Sequence, residues 1–195
     1  MSAPRLGARG VTRRFGTLLA NDGIDLEVAR GSIHAVIGGN GAGKSTLMRI
    51  LQGVDRPDAG TVVIDGEAVA LAGPADAFAR GIGMVHQEFM LVPGLTLLEN
   101  LILGHEPAVT GGIIDLPRAR AAAVALAAQA SVGVPWDMPA EAAPVNIRQV
   151  VEILRLLFRG ADVLILDEPT AVLAPAQVTE LMALLRRLRD DGRTI

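Results

Sequence analysis

Two clusters of residues in this chain have the types and spacing needed to handle phosphate. The first is Gly38-Gly39-Asn40-Gly41-Ala42-Gly43-Lys44-Ser45-Thr46. Gly38, Gly41 and Gly43 permit backbone angles and close approach that a Cβ would block. The N–H groups of such a loop can ring the β-phosphate of ATP or another nucleoside triphosphate. The N-terminus of a following helix adds partial positive charge. Lys44 is placed to bridge the β- and γ-phosphates, Ser45 to give its hydroxyl to Mg²⁺, and Thr46 to reach the α-phosphate. The second cluster is Asp167-Glu168, two acids ending the apolar run 163–166. Asp167 can hold a Mg²⁺-bound water, and Glu168 can orient and deprotonate the attacking water.

Composition sharpens the first cluster. The chain has 17 arginines and one lysine, and that lysine is Lys44. A compact ammonium on a flexible stem fits between phosphates where a planar guanidinium does not. With 195 residues, half of them hydrophobic, the chain can bury one core domain plus small attachments. It has no cysteine, which excludes disulfides and thiolate metal sites and fits a reducing, cytosolic setting. A net charge of −3 without a long basic run argues against nucleic acid as a partner. No stretch approaches the roughly 18 apolar residues of a membrane span.

The elements that must position these clusters follow from periodicity and turn chemistry. Residues 9–14, 24–28 and 33–37 read as strands, with turns at Asn21-Asp22-Gly23 and Arg30-Gly31. The strand 33–37 leads into the glycine loop, and 45–51 reads as the helix after it. Residues 61–64 form a strand closed by the Asp65-Gly66 turn, and 83–86 another strand. From about residue 88 to 158 the pattern is helical: 95–103 with a Thr96/Glu99 capping box, 118–129, and 147–158. The run 163–166 suits a strand buried on both faces of a parallel sheet, whose C-terminal edge is where ligands gather. A last helix spans 177–189, ended by Asp191-Gly192, and 193–195 begins a strand.

The two clusters, in this order, resemble the ATP-binding subunit of an ABC transporter. Phe15, in TRRFG ahead of LANDGIDLEV, resembles the family's adenine-stacking aromatic, though by itself an aromatic there reads equally as core. Gln87, in MVHQEFMLVPGLTLLEN, matches the glutamine that in the family contacts the metal and the nucleophilic water. EPTAVLAP after Asp167 resembles the corresponding loop of importers for simple sugars and nucleosides, whose polypeptides typically carry two cassettes. The likeness is to the N-terminal one and covers nearly the whole chain.

Three departures stand out. Where the family carries an LSGGQ-like signature this chain reads Ala143-Pro144-Val145-Asn146-Ile147. Asn146 replaces a glycine, adds bulk at a point of close approach, and can cap the next helix. Arg148-Gln149-Val150 replaces a Gln-Gln-Arg-like run, which reads as drift on a helix surface. The family's switch histidine is expected a few residues past Ile195, so the chain reads as a cassette truncated before it, with an exposed sheet edge. His34, His86 and His105 lie in the wrong segments to substitute.

The expected fold is α/β, a P-loop NTPase (RecA-like) core with an N-terminal antiparallel β subdomain and an α-helical subdomain. Residues 1–195 form one cassette: 1–87 and 159–195 the nucleotide-binding core with the β subdomain, 88–158 the helical part. The resemblance implies a transport-coupled ATPase energising import of a simple sugar or nucleoside, with ATP and Mg²⁺ as cofactors. Its catalytic residues are Glu168, Lys44 and Gln87. Phe15 and the nine residues Gly38 to Thr46 bind nucleotide, and Ser45, Gln87 and Asp167 face the metal. Its partners are transmembrane permease subunits and a second ATPase cassette, peripheral to the cytoplasmic face of the cell (inner) membrane. The alternative is a nucleotide-binding module with weak or no hydrolysis, given the altered signature and the ending.

Overall fold

The computed structural model describes residues 3–109 and 112–195. Within it the chain divides into two compact units. The first comprises residues 1–84, 162–167 and 189–195, and the second 85–161 and 168–188.

The first unit is built on a four-stranded antiparallel sheet in the order β2-β1-β3-β4. β1 (Leu6–Phe15) and β2 (Leu18–Val28) form a long hairpin, and β3 (Ala59–Ile64) lies on the other side of β1. The short β4 (Glu67–Val69) returns through the Asp65-Gly66 turn, as the sequence suggests. Helix α1 (Lys44–Leu51) lays Leu47, Ile50 and Leu51 into a core with Leu6, Ala8, Val11, Val62 and Ile64. The core continues through Ala77 of α2 (Pro74–Ala79), Ile82 of β5 (Ile82–Val85), and Val163 and Ile165 of β6 (Val163–Leu166). β5 pairs with β6, and Thr194 bridges Val163 in parallel on β6.

Two expectations fail here. Asn21-Asp22-Gly23 is not a turn: it stays inside β2, and register shifts between Val11 and Arg13 absorb the irregularity as a bulge. The reversal falls instead between the paired residues Phe15 and Leu18. Residues 33–37 are not a strand. Their only cross-chain backbone bonds among the described residues join His34 N–H to Ile195 O (2.7 Å), next to Ile195 N–H to Ser32 O (2.8 Å). A ladder needs a partner for every N–H and C=O, and beyond His34 there is none; Ile37 is 92% exposed.

A buried arginine organises one end of the first unit. Arg5, 4% exposed, donates to Asp65 Oδ2 (3.1 Å), Asp162 Oδ1 (3.0 Å) and the Arg80 carbonyl (2.6 Å). Arg30 adds a second cation to Asp65. The network joins β1, the turn after β3 and the entry to β6. Nothing in the sequence pattern announced it.

The second unit is helical. α3 (Leu97–Ile102) begins at Thr96, whose hydroxyl accepts from Glu99 N–H while the Glu99 carboxylate accepts from Thr96 N–H. That is the capping box read from the sequence. α3 packs on α5 (Val145–Phe158), and α4 (Leu116–Gln129) presents Ala119, Ala123 and Ala127 to the interior. Asn100, fully buried, accepts from Val92 N–H and donates to the Val92, Leu95 and Thr96 carbonyls, so its polar atoms are satisfied. α6 (Pro175–Asp190) buries Leu181, Leu184, Leu185 and Leu188. On α5 the buried face includes Gln149, Glu152, Ile153 and Leu156, broader than the stripe through Ile147 and Phe158 that periodicity suggested.

Candidate functional site

In the first unit the glycine loop closes on itself and leaves a helix N-terminus open. Gly43 is the N-cap of α1 and has no side chain to cap with. The N–H groups of the first turn, other than Leu47 N–H bonded to Gly43 O (3.0 Å), therefore have no intrahelical acceptor. Lys44 folds back over the loop and donates to the Gly38 carbonyl (2.8 Å) and the Gly39 carbonyl (2.9 Å). Its ammonium is thus held on the loop carbonyls.

Gly43 is the constrained member of the loop. Its φ is +85°, and a Cβ there would lie 2.1 Å from the Ala20 carbonyl and 2.8 Å from Asn21 Nδ2. β2 therefore touches the loop backbone directly. Asn21, 5% exposed, donates to the Gly43 carbonyl at 3.2 Å. Gly41 has φ +77° with open space around it. Asn21 was missed because Asn-Asp-Gly carries a turn signal that hides its role as a buttress.

Ser45 and Asp167 meet in this unit: Ser45 Oγ donates to Asp167 Oδ1 at 3.1 Å. The residues are 122 positions apart and are brought together by α1 and the end of β6. Phe15, at the end of β1, is 44% exposed and so is not a core residue. The Arg13 guanidinium covers one ring face at 4.6 Å from the centroid.

In the second unit Gln87 Nε2 donates to Glu168 Oε2 at 3.4 Å. Glu168 has φ +49°, a left-handed conformation that costs a residue with a Cβ about 1–2 kcal/mol. The turn that contains it is closed by Ala171 N–H to Glu168 O (3.1 Å). The glutamine and the acid selected from the sequence are therefore paired. Asp167 and Glu168 are adjacent in the chain but belong to different units.

The signature-like segment differs from expectation. Asn146 does not cap α5: the N-cap is Pro144, without a side-chain bond, and Asn146 is already the second helical residue. Pro144, with ψ near 150°, supplies an extended entry, which starts the helix before Asn146 is reached. Farther along α5, Glu152 is 4% exposed and accepts from Met90 N–H. Burial pushes its carboxyl above the usual carboxylate range, opposed by the Met90 N–H and the Arg155 charge.

The donor set suits a triphosphate and a hard divalent ion. Ser45 and Asp167 offer a hydroxyl and a carboxylate oxygen, the first-turn amides of α1 carry no side-chain cap, and the space beside Gly39 and Gly41 is open. No cluster of three or more His, Cys, Asp or Glu able to hold a metal by itself occurs among the described residues.

A glycine loop running into a helix, with the carboxylate after a strand held on the loop serine, defines a P-loop nucleotide-binding α/β fold. The ABC transporter family profile matches residues 21–171, and the chain belongs to that family. It is 48% identical over 186 residues to a nucleoside import ATP-binding protein of Lactococcus lactis, covering 95% of this chain and 36% of that protein. It is 48% identical over 182 residues to a ribose import ATP-binding protein of Burkholderia cenocepacia, covering 93% and 36%. The chain thus spans about a third of the length of these curated relatives. Among solved structures, a nucleotide-free ATP-binding cassette from an ABC transporter superposes with TM-score 0.83 at 24% identity, over 99% of this chain and 79% of that one. A dimeric ATP-binding cassette in a post-hydrolysis state, bound to ADP and Pi, superposes with TM-score 0.77 at 27% identity, over 96% and 84%.

Proposed function

We propose that this chain binds and hydrolyses ATP as part of an ABC import system for a simple sugar or nucleoside. The observation that carries this reading is the Ser45–Asp167 bond beside the Lys44-capped glycine loop, in a chain nearly half identical to ribose and nucleoside import ATP-binding proteins. The residue roles follow from the chemistry available. The amides of Gly38 to Thr46 cradle the phosphates, and Lys44 moves its ammonium from the loop carbonyls to the β/γ oxygens. Ser45 and Asp167, with Gln87, would hold Mg²⁺, which neutralises charge on those oxygens when bound. Glu168 accepts the proton of the attacking water, which Gln87 helps to orient. The exposed ring of Phe15 offers its uncovered face to the base.

Residues 1–195 serve as one cassette; the expected core at 1–87 and 159–195 and helical part at 88–158 give way to the observed units, in which 85–87, 159–161 and 168–188 group with the helical part. It pairs with a second cassette and docks on transmembrane permease subunits at the cytoplasmic face of the inner membrane. The dimeric cassette bound to ADP and Pi supports the pairing. No described helix is long and apolar enough to cross a membrane.

Replacing Lys44 tests the reading. Charge-assisted bonds contribute about 1.5–3 kcal/mol each. Loss of one or two of them predicts a weakening of ATP binding of roughly 10-fold to 10⁴-fold for Lys44→Ala in a fluorescence titration. Normal binding by that variant would remove the loop from this role.

A further inference from the structure

We infer that Gln149 is a positioning residue for Glu168, acting through the backbone of Pro169; this rests on the reading of Glu168 as the base. Gln149 is 4% exposed, in the second turn of α5, and its Nε2 donates to the Pro169 carbonyl at 2.6 Å. Its Oε1 is buried and has no partner among the described residues. An amide with one arm unsatisfied in an apolar setting is retained at a cost that a leucine or methionine of similar size avoids. The bond to Pro169 is what the amide supplies in return.

That bond lies next to a strained residue. Glu168 holds φ +49° without being glycine, and strain of this kind persists only where surrounding contacts enforce it. Two contacts do so within this unit. The Ala171 N–H bond to Glu168 O closes the turn, and Gln149 fixes the carbonyl of the residue after Glu168. The ring of Pro169 sets its φ, so holding its carbonyl fixes the remaining dihedral. The Glu168 carboxylate then stands where Gln87 Nε2 can reach it.

The same helix holds the other partner. Glu152 accepts from Met90 N–H, Arg155 donates to Met90 O at 3.3 Å, and Arg148 covers the Phe89 ring at 4.8 Å. One face of α5 therefore fixes both the segment after Gln87 and the turn after Glu168. Gln149 is its only described bond to the latter turn.

The test compares Gln149→Leu, Gln149→Glu and Glu168→Gln in the full chain. In the nucleotide-free protein, the Gln87 side-chain amide resonance reports its contact with Glu168. In Gln149→Leu it moves toward its position in Glu168→Gln. ATP affinity stays within about twofold, while turnover falls at least tenfold toward the Glu168→Gln floor. Gln149→Glu adds a readout that a packing role does not move. Its buried carboxyl donates to Pro169 O only when protonated, so, compared with the unsubstituted chain at each pH, the Gln87 resonance returns to its normal position as pH falls. A Gln87 resonance unmoved in folded Gln149→Leu, or pH-independent in Gln149→Glu, overturns the inference. Full turnover by Glu168→Gln refutes the base role instead, and the resonance arm still judges Gln149.

Discussion

Gly43→Ala is the substitution whose cost can be worked most directly. The new Cβ would sit 2.1 Å from the Ala20 carbonyl, far inside contact distance, and that neighbour is backbone of β2. Either β2 or the loop must move, at the roughly 1–3 kcal/mol typical of overpacking. The left-handed φ of +85° adds about 1–2 kcal/mol for any residue with a Cβ. Together they predict about 2–5 kcal/mol of lost stability. Gly41→Ala carries only the conformational part, about 1–2 kcal/mol, because nothing lies within 4 Å of its Cβ. Gly39→Ala carries neither, since its φ is outside the left-handed region and the space is open. Urea unfolding of the three nucleotide-free variants should therefore rank them Gly43, Gly41, Gly39 in order of damage, at constant m-value. If Gly43→Ala unfolds at the same midpoint as Gly39→Ala, the contact between β2 and the loop is not what the structure describes.

Arg5→Met should destabilise by about 2–3 kcal/mol in the same assay, below the usual 3–5 for breaking a buried pair. Asp65 and Asp162 are 54% and 36% exposed and can be rehydrated, and Arg30 still serves Asp65. Glu152→Gln should flatten the pH dependence of thermal unfolding. The Glu152 pKa is raised on folding, so its contribution is fully present below the unfolded carboxylate pKa and is lost as pH rises through the raised value. The variant keeps an acceptor for Met90 N–H and lacks the titration, so its melting temperature should fall less between pH 4 and pH 7, a ~3-unit span across the carboxylate range. An unchanged slope would show that Glu152 does not carry this dependence.

The parts of the site that obey local rules were legible. A glycine-rich spacing around one lysine, an apolar run ending in two acids, and a capping box at Thr96 each specify their own geometry, and each formed. What escaped were residues whose partners are distant in sequence. Asn21 reads as a turn former until the loop it supports is seen 22 positions away. Gln149 and Glu152 look like polar interruptions of an amphipathic helix, and only the fold shows what they hold. Arg5 sits near the start of the chain with partners 60 and 157 residues on. The misreading of 33–37 has a different origin. The β-branched Ile33, Val36 and Ile37 state a preference for extended backbone, but a strand exists only where neighbours supply hydrogen bonds.

Because Lys44 is the single lysine, its ε-amine is a uniquely addressable nucleophile in a chain of arginines. Arginine is inert to amine-selective acylation near neutral pH, so one mass increment on a lysine can mean only one location. That location is the ammonium now resting on the Gly38 and Gly39 carbonyls. A competition between acylating reagent and nucleotide at this amine would read site occupancy from the mass of the proteolytic peptide that carries Lys44, which separates it from acylation of an α-amine, without a radiolabel, an engineered probe or any turnover.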